Sequence, residues 1–396
     1  MSLPRCAVAA SHVVTADGPH RGEIEMSIKV CLLSHGPEFP EGGYLWVFLN
    51  WALGFRALGC EVTWLMDVST VPEERRRRCL PALREKLDPY GVGECLRLCV
   101  FDGGAADREI NEQLETVTGV DLLLNIGLYT ASAELTKRFR RSALLDIDPG
   151  RTQVWISQGD LRVAPHTLYF TIGETVGQPG ALFPSAGIHW HYTHPCVSLD
   201  SWQPQPAQEG AAFTTVSHWW KGWMVTNGES YPNSKRAAFL PFLDLPNRSS
   251  YPLELAIPLE DTEEERSMLL QHGWRVRNSE QACATPREYA SYIGQSLGEF
   301  SCAKTSCIRL QNAWISDRTL CYLAAGKPAV VQHTGPSRFI PEAAGLFRFR
   351  DVPEAVSCLE AVMHDYEKHC RLARALVEER FDARKVAAQL LQTALD

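Results

Sequence analysis

Residues 301–335 read SCAKTSCIRLQNAWISDRTLCYLAAGKPAVVQHTG. Ser316 and Asp317 are good N-cap residues, Arg318 and Thr319 fall in the first turn, and the apolar run 320–325 propagates a helix. Gly326 suits the left-handed position that ends a helix, and Pro328 bars continuation. Ala329-Val330-Val331 then reads as a short buried strand running into the polar turn Gln332, His333, Thr334, Gly335. A helix N-terminus beside a glycine turn at a strand's carboxyl end is a place where anions bind. Arg318 sharpens the expectation, because a first-turn cation opposes the helix dipole by about 0.3–1 kcal/mol unless an anion is near. The sequence thus predicts a diphosphate cradle. Lys304 adds a second positive charge, and the Thr334 hydroxyl and Gly335 amide offer hydrogen bonds to phosphate oxygens.

Outward from this segment, strand-like runs alternate with helical patterns. Residues 28–33 (IKVCLL), the glycine-bearing loop 34–43, a helical pattern over 44–58 and the strand 61–66 (EVTWLM) make a βαβ unit, repeated by apolar runs at 95–101, 120–126, 142–146 and 166–172. A linker composition at 199–210 precedes a second set of strands at 212–216, 253–257, 274–276, 329–331 and 346–349. The expected fold is α/β, with two Rossmann-like doubly wound domains facing a cleft. Residues 1–26 read as an unstructured or tag-like start with Met26 as the functional first residue, 27–205 as the first domain, 206–375 as the second, and 376–396 as a final helix packing back on the first.

Composition narrows the function. The chain has 396 residues and a net charge of −8; its basic run at 73–78 (EERRRR) mixes signs as a solvated helix face does, so a nucleic-acid surface is not expected. Thirteen scattered cysteines, odd in number, fit reduced thiols in a cytoplasmic protein better than a disulfide framework. No cysteine pair has zinc-ligand spacing near histidines, no secretory start is present, and no apolar run reaches membrane-spanning length. Gly36, Gly42 and Gly43 do not match GxGxxG, and GxxxxGK[ST] is absent, which excludes nicotinamide enzymes and P-loop NTPases.

The stretch AWISDRTLCYLAAGKPAVVQHTG (313–335), together with Gly298-Glu299-Phe300-Ser301, Lys304 and the tail HDYEKHCRLARALVEERFD (364–382), resembles the nucleotide-sugar half of GT-B glycosyltransferases, in particular a bacterial spore-coat-type group. It departs from that group at His333, where an acidic residue is expected, and at Ala313, where glycine is expected. The resemblance implies metal-independent transfer of a sugar from a nucleoside diphosphate sugar, with no cofactor. The second domain would hold the donor through Glu299, Lys304, Ser316, Asp317, Arg318, Thr319, Gln332, His333, Thr334, Gly335 and Trp220.

The first domain would hold the acceptor, a small molecule or glycan, through Glu41, Gly42, Gly43 and His191. If the reaction inverts, it needs a base. His35, at the end of the first strand, has a near-neutral ordinary pKa and is the first candidate, with Asp148 next. The run HWHYTH (189–194) is expected to wall the acceptor site or to form a packed interdomain loop rather than bind metal. A nucleotide-sugar epimerase of the same fold and a non-catalytic bilobed binding protein are the alternatives.

Overall fold

The computed structural model describes residues 27–36, 41–101, 108–129, 131–219, 222–258, 263–340 and 344–396. Seven strands form the first sheet: β1 (Lys29–His35), β2 (Glu61–Asp67), β3 (Leu96–Cys99), β4 (Leu122–Ile126), β5 (Ser142–Asp146), β6 (Leu168–Thr171) and β7 (His191–Tyr192). Their order is β3-β2-β1-β4-β5-β6-β7 and every pairing is parallel. The next strands are β8 (Phe213–Val216), the hairpin β9 (Trp223–Thr226) and β10 (Glu229–Pro232), β11 (Leu253–Ile257), β12 (Arg275–Asn278), β13 (Gly298–Ser301), β14 (Ala329–Gln332) and β15 (Leu346–Phe349). Six of these make a second parallel sheet, β12-β11-β8-β13-β14-β15. Strands such as β4 (LLLNI) and β11 (LELAI) are buried throughout, as strands covered on both faces must be.

In each sheet the strand order reverses beside the first strand, between β1 and β4 and between β8 and β13. These switch points open crevices at the strands' carboxyl ends, where α/β sheets bind ligands. One strand at the second crevice, β13, was not among the sequence's strand expectations. Its sequence GEFS has no apolar run to reveal it. A Cβ on Gly298 would stand 2.3 Å from the Pro328 carbonyl oxygen, so only glycine lets β13 lie this close to its neighbour.

The two halves are fused over a broad front. Helix Gly42–Ala57 lies against helix Pro286–Gln295, Trp46 Nε1 donates to the Pro286 carbonyl at 2.9 Å, and the Trp46 and Trp202 rings stand 4.7 Å apart. A Cβ on Gly42 would meet the Thr285 carbonyl oxygen at 2.1 Å, and one on Gly43 the Tyr289 ring at 2.7 Å. Gly42→Ala is therefore expected to force the halves apart and destabilise the protein by about 1–3 kcal/mol, read as a lower urea midpoint. The C-terminal helical tail breaks at Phe381-Asp382 because the chain there crosses back: Val197 N donates to the Phe381 carbonyl at 2.9 Å and Ala383 N to the Val197 carbonyl at 3.0 Å. Helix Ala383–Leu395 then packs on helix Gly42–Ala57. Among the described residues no helix is long and apolar enough to cross a membrane.

Candidate functional site

The two crevices meet at an ion pair. Lys304 follows β13 as the N-cap of helix Thr305–Leu310, and its Nζ lies 3.1 Å from Oδ2 of Asp148, which follows β5. Arg151 also pairs with Asp148, and Asn312 Nδ2 donates to the Pro149 carbonyl at 2.7 Å beside them. Burial alone would raise the Asp148 carboxyl. Lys304 and Arg151 reverse that and hold it below the ordinary carboxylate value. Asp146 is different in kind: fully buried, it accepts from Tyr129, Thr152, Gln153, Thr171 and the Asp148 amide, and so braces the loop that carries Asp148.

Arg318 lies on the N-terminal turn of helix Asp317–Ala324, which Ser316 caps by accepting from the Arg318 amide at 3.2 Å. Its guanidinium turns inward. Nε donates to Glu299 Oε1 at 2.8 Å and Nη1 to the Val216 carbonyl at 3.0 Å, tying the helix start to β13 and β8. The anion that offsets the first-turn arginine is thus the chain's own Glu299, which is 0% exposed and keeps Oε2 without a hydrogen-bond partner. Glu299 and Arg318 shape the floor of the crevice. Thr319 is buried, and burial raises the Asp317 carboxyl above its ordinary value against the pull of Arg318.

The third cation, Lys235, opens helix Lys235–Phe239 after the β9–β10 hairpin. Its Nζ donates to the Cys302 carbonyl at 2.6 Å and stands 5.4 Å from the centre of the Trp314 ring. The residue keeps some exposed surface, yet protein surrounds its ammonium; burial, reinforced by Arg318 and Lys304, lowers the amine to about 7. His218, directly after β8, is also pushed below its ordinary value by burial and by Lys304 and Arg318, so the imidazole stays neutral at pH 7. Lys235, His218 and Arg151 were not expected from sequence. Lys235 stands 69 places before Lys304 and only the fold unites them.

The turn after β14 is tied to the segments around Ala303 and Trp314 and braced by one bond of its own. Gln332 Oε1 accepts from the Ala303 amide at 3.1 Å, Thr334 Oγ1 donates to the Trp314 carbonyl at 2.6 Å, and the Gly335 amide donates to His333 Nδ1 at 3.2 Å. The Thr334 hydroxyl and Gly335 amide, expected to meet phosphate oxygens, thus already have partners in the chain, the hydroxyl at Trp314 and the amide at His333. Gly335 has φ of 132° and lies where a Cβ would meet the Gln311 carbonyl oxygen at 2.6 Å, so the turn needs glycine.

On the opposite wall, His35 ends β1 with Nε2 3.4 Å from Thr70 Oγ1. Glu41 sits at the seam between the halves, its carboxyl raised by burial and by Glu280 against the pull of Lys86. Gly42 and Gly43 face Thr285 and Tyr289, and the Gly42 amide donates to the Cys283 carbonyl at 2.9 Å, so packing explains both glycines. His191 is on the edge strand β7, away from the β1–β4 switch, with its ring 5.5 Å from Phe170 and 4.7 Å from His189. Trp220 lies outside the described residues. Among the described residues, no three His, Cys, Asp or Glu side chains are grouped to hold a metal.

No family model and no curated protein matches this chain. Solved structures do. Anabaena HepE in complex with UDP-glucose is 12% identical, with a TM-score of 0.58 over 92% of this chain and 99% of that one. An alpha-glucosyltransferase in complex with UDP is 9% identical, with a TM-score of 0.59 over 93% and 100%. A glycosyltransferase from Rickettsia africae gives 10% identity and a TM-score of 0.56 over 93% and 98%. The chain has the GT-B fold. In the GT-B frame, the β8–β13 crevice with Lys235, Lys304 and Arg318 belongs to the C-terminal domain, and His35 and Asp148 belong to the N-terminal one. Two lysines and a helix N-terminus, the latter set in place by Arg318, can neutralise the charge that builds on a departing diphosphate.

Proposed function

We propose that this chain is a glycosyltransferase moving a sugar from a nucleoside diphosphate sugar to an acceptor hydroxyl. The observation that carries the reading is the gathering of Lys235, Lys304 and Arg318 at the C-terminal switch point, directly against the N-terminal domain. Lys304 and Lys235 bind the diphosphate, Arg318 positions the helix N-terminus beside it, and Asp317 lies at that helix start. These charges do the work a metal would otherwise do, so transfer proceeds without one. The bound UDP and UDP-glucose of the similar structures make a uridine nucleotide the first donor to try.

The acceptor falls to the crevice beside His35 and Glu41, and His35 is the base if the reaction inverts. Asp148, held as an anion by two cations, is a weaker proton acceptor and aligns Lys304 instead. The cysteines of the described residues are all free, in keeping with a cytoplasmic place of action, and membership of the spore-coat-type group belongs to the same proposal.

Calorimetric titration with nucleoside diphosphates and their sugars, followed by turnover with and without a panel of sugar and small-molecule acceptors, tests this. Donor binding together with acceptor-dependent release of nucleoside diphosphate is expected. Conversion of the donor sugar without any acceptor would indicate an epimerase, and absence of nucleotide binding would refute the donor site.

A further inference from the structure

Two of the three cations at the β8–β13 crevice already have a carboxylate, Lys304 with Asp148 at 3.1 Å and Arg318 with Glu299 at 2.8 Å. Lys235 does not. Its ammonium has a single carbonyl, that of Cys302 at 2.6 Å, and among the described residues no carboxylate lies at ion-pair distance. Arg318 faces it from helix Asp317–Ala324 and Lys304 from the start of helix Thr305–Leu310, and the Cys302 and Cys307 thiols are also near. Asp148 and Asp317 are near enough to feel its charge, but Asp148 is taken by Lys304 and Arg151, and burial drives the Asp317 carboxyl toward its neutral form.

We propose that donor binding is coupled to uptake of a proton by Lys235, the diphosphate supplying the counter-charge that the protein itself withholds. The proposal rests on the donor reading above and deepens it. Without a counter-charge, burial and two like charges favour the neutral amine. Two phosphate anions beside the same nitrogen favour the ammonium, so the proton comes from solvent as the donor enters and returns as the nucleoside diphosphate leaves. Above neutral pH the affinity must fall as pH rises, by up to about tenfold per unit, because each binding event consumes a proton. Below neutral pH Lys235 already carries its proton, and the dependence flattens. His218, pushed below its ordinary value by burial and then by the same two cations, would respond at lower pH.

UDP-glucose is the probe, since its diphosphate diester keeps the same charge from about pH 6 to pH 9, and any proton taken up belongs to the protein. Titration calorimetry in buffers of different ionisation enthalpy is expected to give almost no uptake near pH 6 and close to one proton per site near pH 8. Lys235→Arg, whose guanidinium never loses its charge, is expected to bind UDP-glucose with neither uptake nor pH dependence over this range. Wild-type protein that binds without uptake near pH 8 would overturn the coupling, and uptake that persists in Lys235→Arg would overturn its assignment to Lys235. Failure of UDP-glucose and other nucleoside diphosphate sugars to bind at any pH is a different result, which removes the donor reading and the coupling together.

Discussion

Arg318→Met is expected to destabilise the protein by about 3–5 kcal/mol, because it strands a carboxylate in the core. Glu299 is 0% exposed, and the guanidinium at 2.8 Å is its only ion-pair partner among the described residues. The pair also links three elements, since Arg318 reaches the Val216 carbonyl at 3.0 Å while its own amide is capped by Ser316. Loss of nucleotide affinity in this single variant would therefore not separate a ligand contact from a damaged crevice. Arg318→Met combined with Glu299→Gln removes both charges, and most of the lost stability is expected to return. If Arg318 keeps the helix start aimed at the diphosphate, the double variant should fold yet bind nucleotide roughly tenfold more weakly. Urea denaturation and calorimetry on the same samples check both parts. A single variant as stable as wild type would show that Glu299 is not the buried anion it is in this structure.

Arg318 also shows how far the sequence could be read. Its unfavourable place in the helix dipole was read as a sign of a bound diphosphate, whereas the anion beside it in the structure is Glu299, nineteen residues earlier, which spacing along the chain could not reveal. The resemblance named Glu299 as a donor-site residue, but its pairing with Arg318 was not legible because it sits on β13, where GEFS offers neither alternation nor an apolar run and only the close approach at Gly298 explains the strand. Strands with strong local signals were different: Ser142–Asp146, Leu253–Ile257 and Leu346–Phe349 stand where the apolar runs place them. The β9–β10 hairpin did have a legible sign in Asn227-Gly228, both at positive φ, although its neighbours scarcely alternate. Gly42 and Gly43 looked like ligand-loop glycines because a close approach to a helix leaves the same mark in sequence as a close approach to a ligand. Lys235, the first residue of its helix, carried the same dipole signal as Arg318, but with no motif around it nothing in the sequence tied it to the crevice where the fold sets two more cations beside it.

That placement sets stability against binding in a way that Lys235→Met exposes. With no donor bound the ammonium has one carbonyl and the Trp314 ring at 5.4 Å against two cationic neighbours, so a methionine of similar length, which keeps the contact with the ring, is expected to stabilise the fold by about 1 kcal/mol. The sign follows from proton binding. Lys235 has its amine lowered from 10.5 to about 7, so between those values the unfolded chain holds a proton that the folded chain lacks, and this residue makes stability rise with pH. Its penalty is complete below pH 7 and lifts as pH climbs toward 10.5. The gain from Lys235→Met should accordingly be largest in mildly acidic buffer and shrink through pH 8 and 9, measured by denaturation at each pH. Donor affinity should move the opposite way, falling roughly tenfold to a hundredfold at neutral pH as the diphosphate loses a charged hydrogen bond. A methionine variant that gains no stability in acid would mean the ammonium is well solvated in the free protein. One that gains stability and still binds the donor as tightly as wild type would mean the diphosphate rests on Lys304 alone.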